Sequence, residues 1–111
     1  MAYKEKLEDI ERLMERLAAE TPEAIQAFKA FMAAVERPSP LSLKQKELIN
    51  VALAVAAQCE WCIAFHVQGA LKNGASRAEI LDAAMQAVLM HGGPALMYLT
   101  PVLGVLDELG A

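Results

Sequence analysis

The sequence has no surplus of basic residues and few residues that favour β-strands. Ten Lys and Arg stand against 14 Asp and Glu, which gives the 111-residue chain a formal net charge of −4. A nucleic-acid-binding protein usually carries a basic surplus that neutralises phosphates, so we expect no nucleic-acid partner. The 7 Val, 5 Ile and 2 Thr are far outnumbered by 21 Ala and 15 Leu. Such an excess of good helix formers predicts an all-α fold.

Signals for export and for membrane insertion are also missing. Residues 1–6 lead directly into an acidic segment without an apolar stretch, so we predict no secretory signal and a cytoplasmic protein. No charged residue occurs between Ala83 and Leu106, a length that could cross a bilayer. Gly92, Gly93 and Pro94 interrupt that segment near its middle, however. We therefore expect a buried core or a subunit interface there, and no membrane partner.

Apolar residues make up 56% of the chain. A single domain of this size buries about 60–70% of its surface when it folds. The apolar content therefore exceeds what the core of a monomer can cover, and we predict a homo-oligomer. A monomer with an alanine-rich surface is the alternative, because alanine raises the apolar fraction while burying little area.

Capping signals and breaks divide the chain into about six helices. Thr21 is expected to be an N-cap, followed by Pro22 in the first turn of its helix. Ser42-Leu43-Lys44-Gln45 and Ser76-Arg77-Ala78-Glu79 have the pattern of capping boxes. The helices are expected over about residues 3–19, from Pro22 to the stop at Pro38-Ser39-Pro40, from Leu43 to a turn near 57–60, over 60–72, from Ser76 to about Met90, and from Pro94 to about Leu109 with a possible kink at Pro101.

We predict a single domain, 1–111, with a charged N-terminal helical arm, 1–37, and an apolar core, 41–109. Residues 1–47 hold 17 of the 24 charged side chains. The third helix is apolar nearly all round and should be central and buried. In the second helix, one stripe should face inward, and it consists of Ile25, Phe28, Phe31, Met32 and Val35.

Both cysteines lie in one short motif, Cys59-Glu60-Trp61-Cys62, at a predicted helix start. A Cys-x-x-Cys pair at that position is typical of a redox dithiol, because the positive end of the helix favours thiolate. A zinc site formed by Cys59, Cys62, His66 and a carboxylate is a second interpretation. A structural disulfide is a third, although cytosolic proteins rarely keep one.

His66 and Glu47 are candidates for a proton relay to these thiols. His66 lies four residues after Cys62, so both side chains share one helix face. If the third and fourth helices form a hairpin that turns near residue 58, His66 lies about 12 Å along one leg and Glu47 about 16 Å along the other. A glutamate side chain can span the remaining gap. The alternative for Glu47 is a carboxylate that stabilises the N-terminus of its helix.

The pattern Glu47-x11-Cys59-x-x-Cys62-x3-His66 resembles the alkyl hydroperoxidase D-like branch of the carboxymuconolactone decarboxylase superfamily. The segments Asn73-Gly74-Ala75-Ser76 and Gly92-Gly93-Pro94-Ala95 are similar too, and the likeness covers about residues 20–108. The resemblance implies an alkyl hydroperoxidase D-like helical fold assembled as trimers or hexamers. It also implies a thiol peroxidase or disulfide reductase activity.

By this resemblance Cys62 would attack the peroxide with help from His66 and Glu47, and Cys59 would resolve the sulfenic acid into a disulfide. The helix dipole alone would instead favour Cys59 as the more exposed and more acidic thiol. Well-studied members of the family that this pattern resembles carry a second histidine between the cysteines, where this chain has Trp61. Trp61 is expected to pack at a contact or to wall a substrate pocket. His91 could line the same pocket or cap its helix.

We expect a hydroperoxide or an oxidised thiol as substrate and an external thiol or protein as electron donor. No phosphate loop is present, and we predict no nucleotide, flavin or other cofactor. A cofactor-free decarboxylase of the lactone-acid type is the first alternative, although that chemistry has no use for paired cysteines. A non-enzymatic zinc-binding or redox-sensing assembly subunit is the second.

Overall fold

The chain folds into helices joined by short turns. The computed structural model describes residues 3–111, and within that range it contains no strand. The helices are α1 (Tyr3–Glu20), α2 (Pro22–Val35), α3 (Leu43–Ala56), α4 (Glu60–Lys72), α5 (Arg77–His91), α6 (Gly93–Met97) and α7 (Leu99–Glu108). The prediction of an all-α fold is confirmed. None of these helices is both long enough and apolar enough to pass through a membrane.

The two predicted capping boxes are present. The Ser42 hydroxyl accepts a hydrogen bond from the Gln45 backbone N–H at 3.1 Å, and the Gln45 side chain accepts one from the Ser42 N–H at 2.8 Å. Ser76 and Glu79 exchange the same pair of bonds at the start of α5. Both partners of each box lie within one helical turn, so local sequence is sufficient to predict where α3 and α5 begin.

The position expected for the N-cap of α2, Thr21, is correct, but the expected capping hydrogen bond from its side chain is not formed. Thr21 is the N-cap residue of α2, but its side chain does not cap that helix. Its hydroxyl instead donates to the Leu17 carbonyl at 3.0 Å. Thr21 directly follows the last residue of α1, and its backbone N–H already donates to the same Leu17 carbonyl, so the hydroxyl is held at the end of α1 and away from the start of α2.

The last predicted helix is divided into α6 and α7. They meet at Tyr98, whose N–H donates to the Ala95 carbonyl at 3.0 Å, and the kink expected at Pro101 is therefore wrong. Pro101 is the third residue of α7. The backbone N–H groups of a first helical turn have no partner within the helix, so a proline there breaks no bond.

The core lies between α3, α4, α5 and α7, with α3 packed mainly against α4 and α5. The prediction that α3 is central is correct, but Ile49 and Leu53 of α3 are 46% and 61% exposed, so the helix is not buried all round. Small side chains dominate the core and let the helices approach closely. The most deeply buried are Val51, Val55, Ile63, Ala64, Val67, Ala70, Ile80, Ala84, Val102 and Leu106.

The apolar stripe of α2 does not face that core, and this prediction is wrong. No side chain of α2 is buried, and Phe31 is 63% exposed. The helix packs against α1, and its apolar side chains border an open groove instead. Periodicity identifies the apolar face of a helix, but it cannot identify what covers that face.

Candidate active site

A tight turn joins α3 to α4 and fixes the cysteines at the start of α4. Gln58 has a φ of +56°, a left-handed conformation that costs a non-glycine residue about 1 kcal/mol or more. The Cys59 N–H then donates back to the Ala54 carbonyl at 3.2 Å, as in a Schellman-type helix end. Cys59 is therefore the N-cap of α4.

Cys59 and Cys62 form a disulfide, so the structure represents the oxidised protein. The sulfur of Cys59 accepts a hydrogen bond from the Cys62 backbone N–H at 3.2 Å, in the place where a helix start favours negative charge. Cys62 is exposed and Cys59 is partly buried. The expectation from the helix dipole that Cys59 is the more exposed of the two is wrong.

Glu47 on α3 and His66 on α4 lie against each other. The Glu47 Oε1 and His66 Nδ1 atoms are 2.9 Å apart. Glu47 is only 7% exposed and is the one buried charged residue among residues 3–111. The rings of Phe65 and His66 are nearly perpendicular, with an interplanar angle of 85° and centroids 5.2 Å apart. The turn between α3 and α4 thus brings together two side chains that are 19 positions apart in sequence.

Glu47 is held in its charged form. Burial raises the pKa of the carboxyl group, but hydrogen bonds from His66 and Asn50 outweigh that effect, and the pKa lies below its usual value. An ionised carboxylate can only accept hydrogen bonds, so His66 Nδ1 must carry the proton. When the ring is neutral, its basic lone pair is therefore on Nε2, which has no hydrogen-bond partner among the described residues.

Sequence reasoning missed two residues that contact Glu47. The Asn50 side-chain N–H donates to Glu47 Oε1 at 2.9 Å, and Gly69 of α4 leaves the space that Glu47 Oε2 occupies. Signals for both were present. Asn50 is the one polar residue between Glu47 and Gln58, and Gly69 is a glycine inside a helix, one turn after His66.

An open groove of about 830 Å³ leads to Cys62 and His66. Trp61 forms part of its wall, which is one of the two positions considered for it, and is held by α1. Its indole N–H donates to Asp9 at 3.2 Å, and Lys6 Nζ lies 4.6 Å from the ring centroid. The other large apolar side chains of the wall are Ile10, Met14, Phe28, Phe31, Met32, Val35, Leu43 and Phe65.

His91 does not line this groove. It is exposed in the last turn of α5, outside the set of lining residues. Within residues 3–111, no three His, Cys, Asp or Glu side chains come together where they could hold a metal ion. The zinc interpretation of Cys59, Cys62 and His66 therefore has no ligand cluster in the oxidised protein.

Comparisons with known proteins agree with this architecture. Residues 22–104 match the Carboxymuconolactone decarboxylase family. An uncharacterized protein of Cupriavidus necator is 36% identical over 108 residues, which are 97% of this chain and 96% of that protein. Uncharacterized protein 4 in the cox locus of Paracoccus denitrificans is 40% identical over 83 residues, 75% of each chain.

Two crystal structures have the same fold. A carboxymuconolactone decarboxylase family protein of Legionella pneumophila superposes with a TM-score of 0.93 at 38% identity, over 98% of this chain and 97% of that one. A family protein of Thermotoga maritima, whose description suggests a role in the antioxidative response, superposes with a TM-score of 0.84 at 28% identity, over 94% and 89%. The chain belongs to the carboxymuconolactone decarboxylase family, within which it carries a Cys-x-x-Cys pair.

Proposed function

We propose that this chain is a thiol-dependent oxidoreductase in which Cys59 and Cys62 cycle between dithiol and disulfide. One observation carries the proposal: Cys62 borders an open groove together with His66, and His66 is hydrogen-bonded to the ionised Glu47. A nucleophile, a base on the same helix face and a carboxylate that orients the base are the parts that an activated thiol requires.

In the first step Cys62 attacks the hydroperoxide. His66 Nε2 accepts the thiol proton, and the resulting thiolate attacks the terminal peroxide oxygen. The O–O bond breaks, Cys62 becomes a sulfenic acid, and the alkoxide takes the proton back from His66 and leaves as an alcohol. Glu47 stabilises the positive charge that the imidazole carries between the two proton transfers.

In the second step Cys59 resolves the sulfenic acid. The Cys59 thiolate attacks the Cys62 sulfur, the disulfide forms, and the hydroxide leaves as water with the proton from the Cys59 thiol. The Cys62 N–H that points at the Cys59 sulfur favours the thiolate needed for this attack. An external dithiol then reduces the disulfide by thiol–disulfide exchange, which supplies two electrons and two protons.

The groove favours an apolar hydroperoxide over hydrogen peroxide. Its wall is formed largely by aromatic and aliphatic side chains, whose contact with an alkyl or aryl group contributes about 25 cal/mol per Å² of buried area. The same opening also gives an oxidised partner protein access to Cys62. A disulfide reductase activity is therefore the second form of the proposed function.

The decarboxylase alternative makes use of Glu47 and His66 but leaves the cysteines without a role. The position of Cys62 in the groove is the observation that favours the thiol mechanism over it. We further propose that the chain acts as a homo-oligomer, a trimer or hexamer. In support, three apolar side chains near the junction of α5 and α6, Leu89, Met90 and Met97, are 75%, 77% and 67% exposed.

The experiment measures reduction of cumene hydroperoxide with dithiothreitol as the electron donor. We expect Cys62→Ser and Cys59→Ser each to abolish turnover, because each removes one of the two sulfurs of the cycle. His66→Ala should lower kcat by about 100-fold, the usual contribution of a general base. His91→Ala is the matched control, since the other histidine of the chain is exposed and lies outside the groove.

Full activity in both serine variants would overturn the proposal. Retention of activity in the serine variants together with its loss in His66→Ala would instead favour acid–base chemistry without thiols. One equivalent of zinc bound to the purified reduced protein, with no peroxide turnover, would favour a zinc-binding subunit.

A further inference from the structure

The side-chain amide of Asn50 bridges two carboxylates. One N–H donates to Glu47 Oε1 at 2.9 Å and the other donates to Glu36 Oε1 at 2.8 Å. The amide cannot rotate by 180° without turning its oxygen toward both carboxylates, so its orientation is fixed by charge. Glu36 is the residue that follows α2, and Asn50 therefore connects the end of that helix to the buried glutamate.

We propose that Asn50 is a positioning residue that holds the Glu47 carboxylate against His66 and connects it to α2, the helix whose side chains form a wall of the groove. The inference rests on the proposed function for its effect on turnover. Its structural content, the contact that fixes the Nδ1–H tautomer of His66, can be measured independently of any activity.

Packing and hydrogen bonds leave the Glu47 carboxylate few other positions that it could occupy. Oε2 lies against the backbone of α4 at Gly69, where a Cβ atom would overlap it. Oε1 receives both hydrogen bonds, one from His66 and one from Asn50. Loss of the bond from Asn50 leaves part of a buried charge unsatisfied, so the carboxylate gains by moving toward water and away from the imidazole.

The charged and titratable groups near Glu47 show why the hydrogen bond from the Asn50 amide matters for its carboxylate. From α4 it faces His66, and the Asn50 amide that binds it also binds a second carboxylate, Glu36. Lys46, the neighbouring residue on α3, is directed elsewhere: its ammonium donates to the Val35 and Arg37 carbonyls and to the Ser39 hydroxyl. Asn50 is thus the donor that separates the two carboxylates.

Lys46 and Asn50 are one turn apart on α3, and both hold the end of α2. Because no side chain of α2 is buried, these polar contacts matter for its position. Lys46→Met releases the same end of α2 without removing a bond to Glu47. It is therefore the matched control for Asn50→Leu, which removes the bonds to both Glu36 and Glu47.

The first measurement is the tautomer of His66 in the oxidised protein, read from imidazole 15N chemical shifts. In the wild type we expect neutral His66 to be protonated on Nδ1, because the ionised Glu47 accepts from that atom. Asn50→Leu should lower the Nδ1–H population, and Lys46→Met should leave it unchanged. The exposed His91 provides an internal reference in the same spectrum.

The second measurement is peroxide reduction as a function of pH. We expect Asn50→Leu to lower kcat by about tenfold, the effect of one charge-assisted hydrogen bond, while Lys46→Met alters KM alone. The bond from Asn50 helps to keep the pKa of Glu47 low, so its loss raises that pKa. Activity should then be lost at a higher pH as the solution is acidified. Asn50→Asp, which places three carboxylates together, should shift this limb further.

An unchanged His66 tautomer in Asn50→Leu would overturn the inference, whatever the activity. An equal change of the tautomer in Lys46→Met would assign the effect to α2 instead and would also overturn it. If the wild type reduces no peroxide, the proposed function fails, but the tautomer still tests the role of Asn50.

Discussion

Glu47 and Gly69 approach so closely that no side chain fits between them. A Cβ atom at position 69 would overlap the Glu47 carboxylate, whose other oxygen is bonded to His66. Replacement of an interior helical glycine by alanine usually stabilises a helix by about 1 kcal/mol. In α4, the helix stability gained from an alanine at position 69 would be offset by the cost of pushing the buried Glu47 carboxylate out of its place. Gly69 is therefore a site where stability and activity should respond differently.

We expect Gly69→Ala to lower kcat for peroxide reduction by about tenfold or more, because the displaced carboxylate no longer orients His66. Gly104→Ala is the control: its Cβ would meet the ring of Tyr3 and not the Glu47 carboxylate, so it should lower stability without changing kcat per folded molecule. Unfolding in urea and steady-state kinetics on both variants check this. Wild-type kcat in Gly69→Ala would contradict the account of Glu47.

The contact between Glu47 and His66 can be anticipated from the sequence, whereas its supporting residues cannot. Helix rise and one turn near residue 58 place the two residues within about 4 Å of each other along the helix axes, a gap that a glutamate side chain can span. The role of Asn50 depends on where Glu36 lies, and Glu36 follows a helix whose position is set by polar contacts from α3. These contacts join α3 to the end of α2, and no pattern in the local sequence of either helix predicts that the two meet.

Helix starts and ends divide into those set locally and those set by packing. The capping boxes at Ser42 and Ser76 and the Asn73-Gly74 end of α4, where Gly74 has a φ of +90°, depend on residues within a single turn. Sequence predicts them because both partners are adjacent. The break at Tyr98 has no such signal, since the prolines and glycines of the segment lie on either side of it.

The apolar face of α2 shows that sequence alone also fails to predict which way a whole helix faces. Its apolar spacing is regular, and a single sequence gives no means of distinguishing a face toward the core from one toward a groove. In the structure, α1 and α2 lie beside the α3–α7 core and complete the groove that opens onto Cys62. An arm rich in charge thus contributes much of the apolar wall of the candidate site.

Fifteen large apolar side chains are exposed among residues 3–111. The α5–α6 face, which consists of Met85, Leu89, Met90, Leu96 and Met97, has no side chain less than 45% exposed. It lies in the segment from Ala83 to Leu106 that has no charged residue. Large exposed apolar patches are typical of protein–protein contacts, and this one is consistent with the composition that predicts a homo-oligomer.

We expect the wild type to have a solution mass of three or six times 12.0 kDa by sedimentation equilibrium. The double substitution Leu89→Glu and Met90→Glu should shift it toward the monomer, because two charges would be buried without partners in the contact. Ala18→Glu, on the exposed side of α1, is the control and should leave the mass unchanged. A wild-type mass of 12.0 kDa would show that the apolar face is not a contact between copies.

The most direct test of the thiol mechanism is to trap the oxidised sulfur. Reduced Cys59→Ser and Cys62→Ser proteins are each mixed with one equivalent of cumene hydroperoxide in the presence of dimedone, which reacts with sulfenic acids, and the adduct is located by peptide mass spectrometry. The account predicts an adduct on Cys62 in Cys59→Ser and none on Cys59 in Cys62→Ser. An adduct on Cys59 alone, or on neither cysteine, would contradict it.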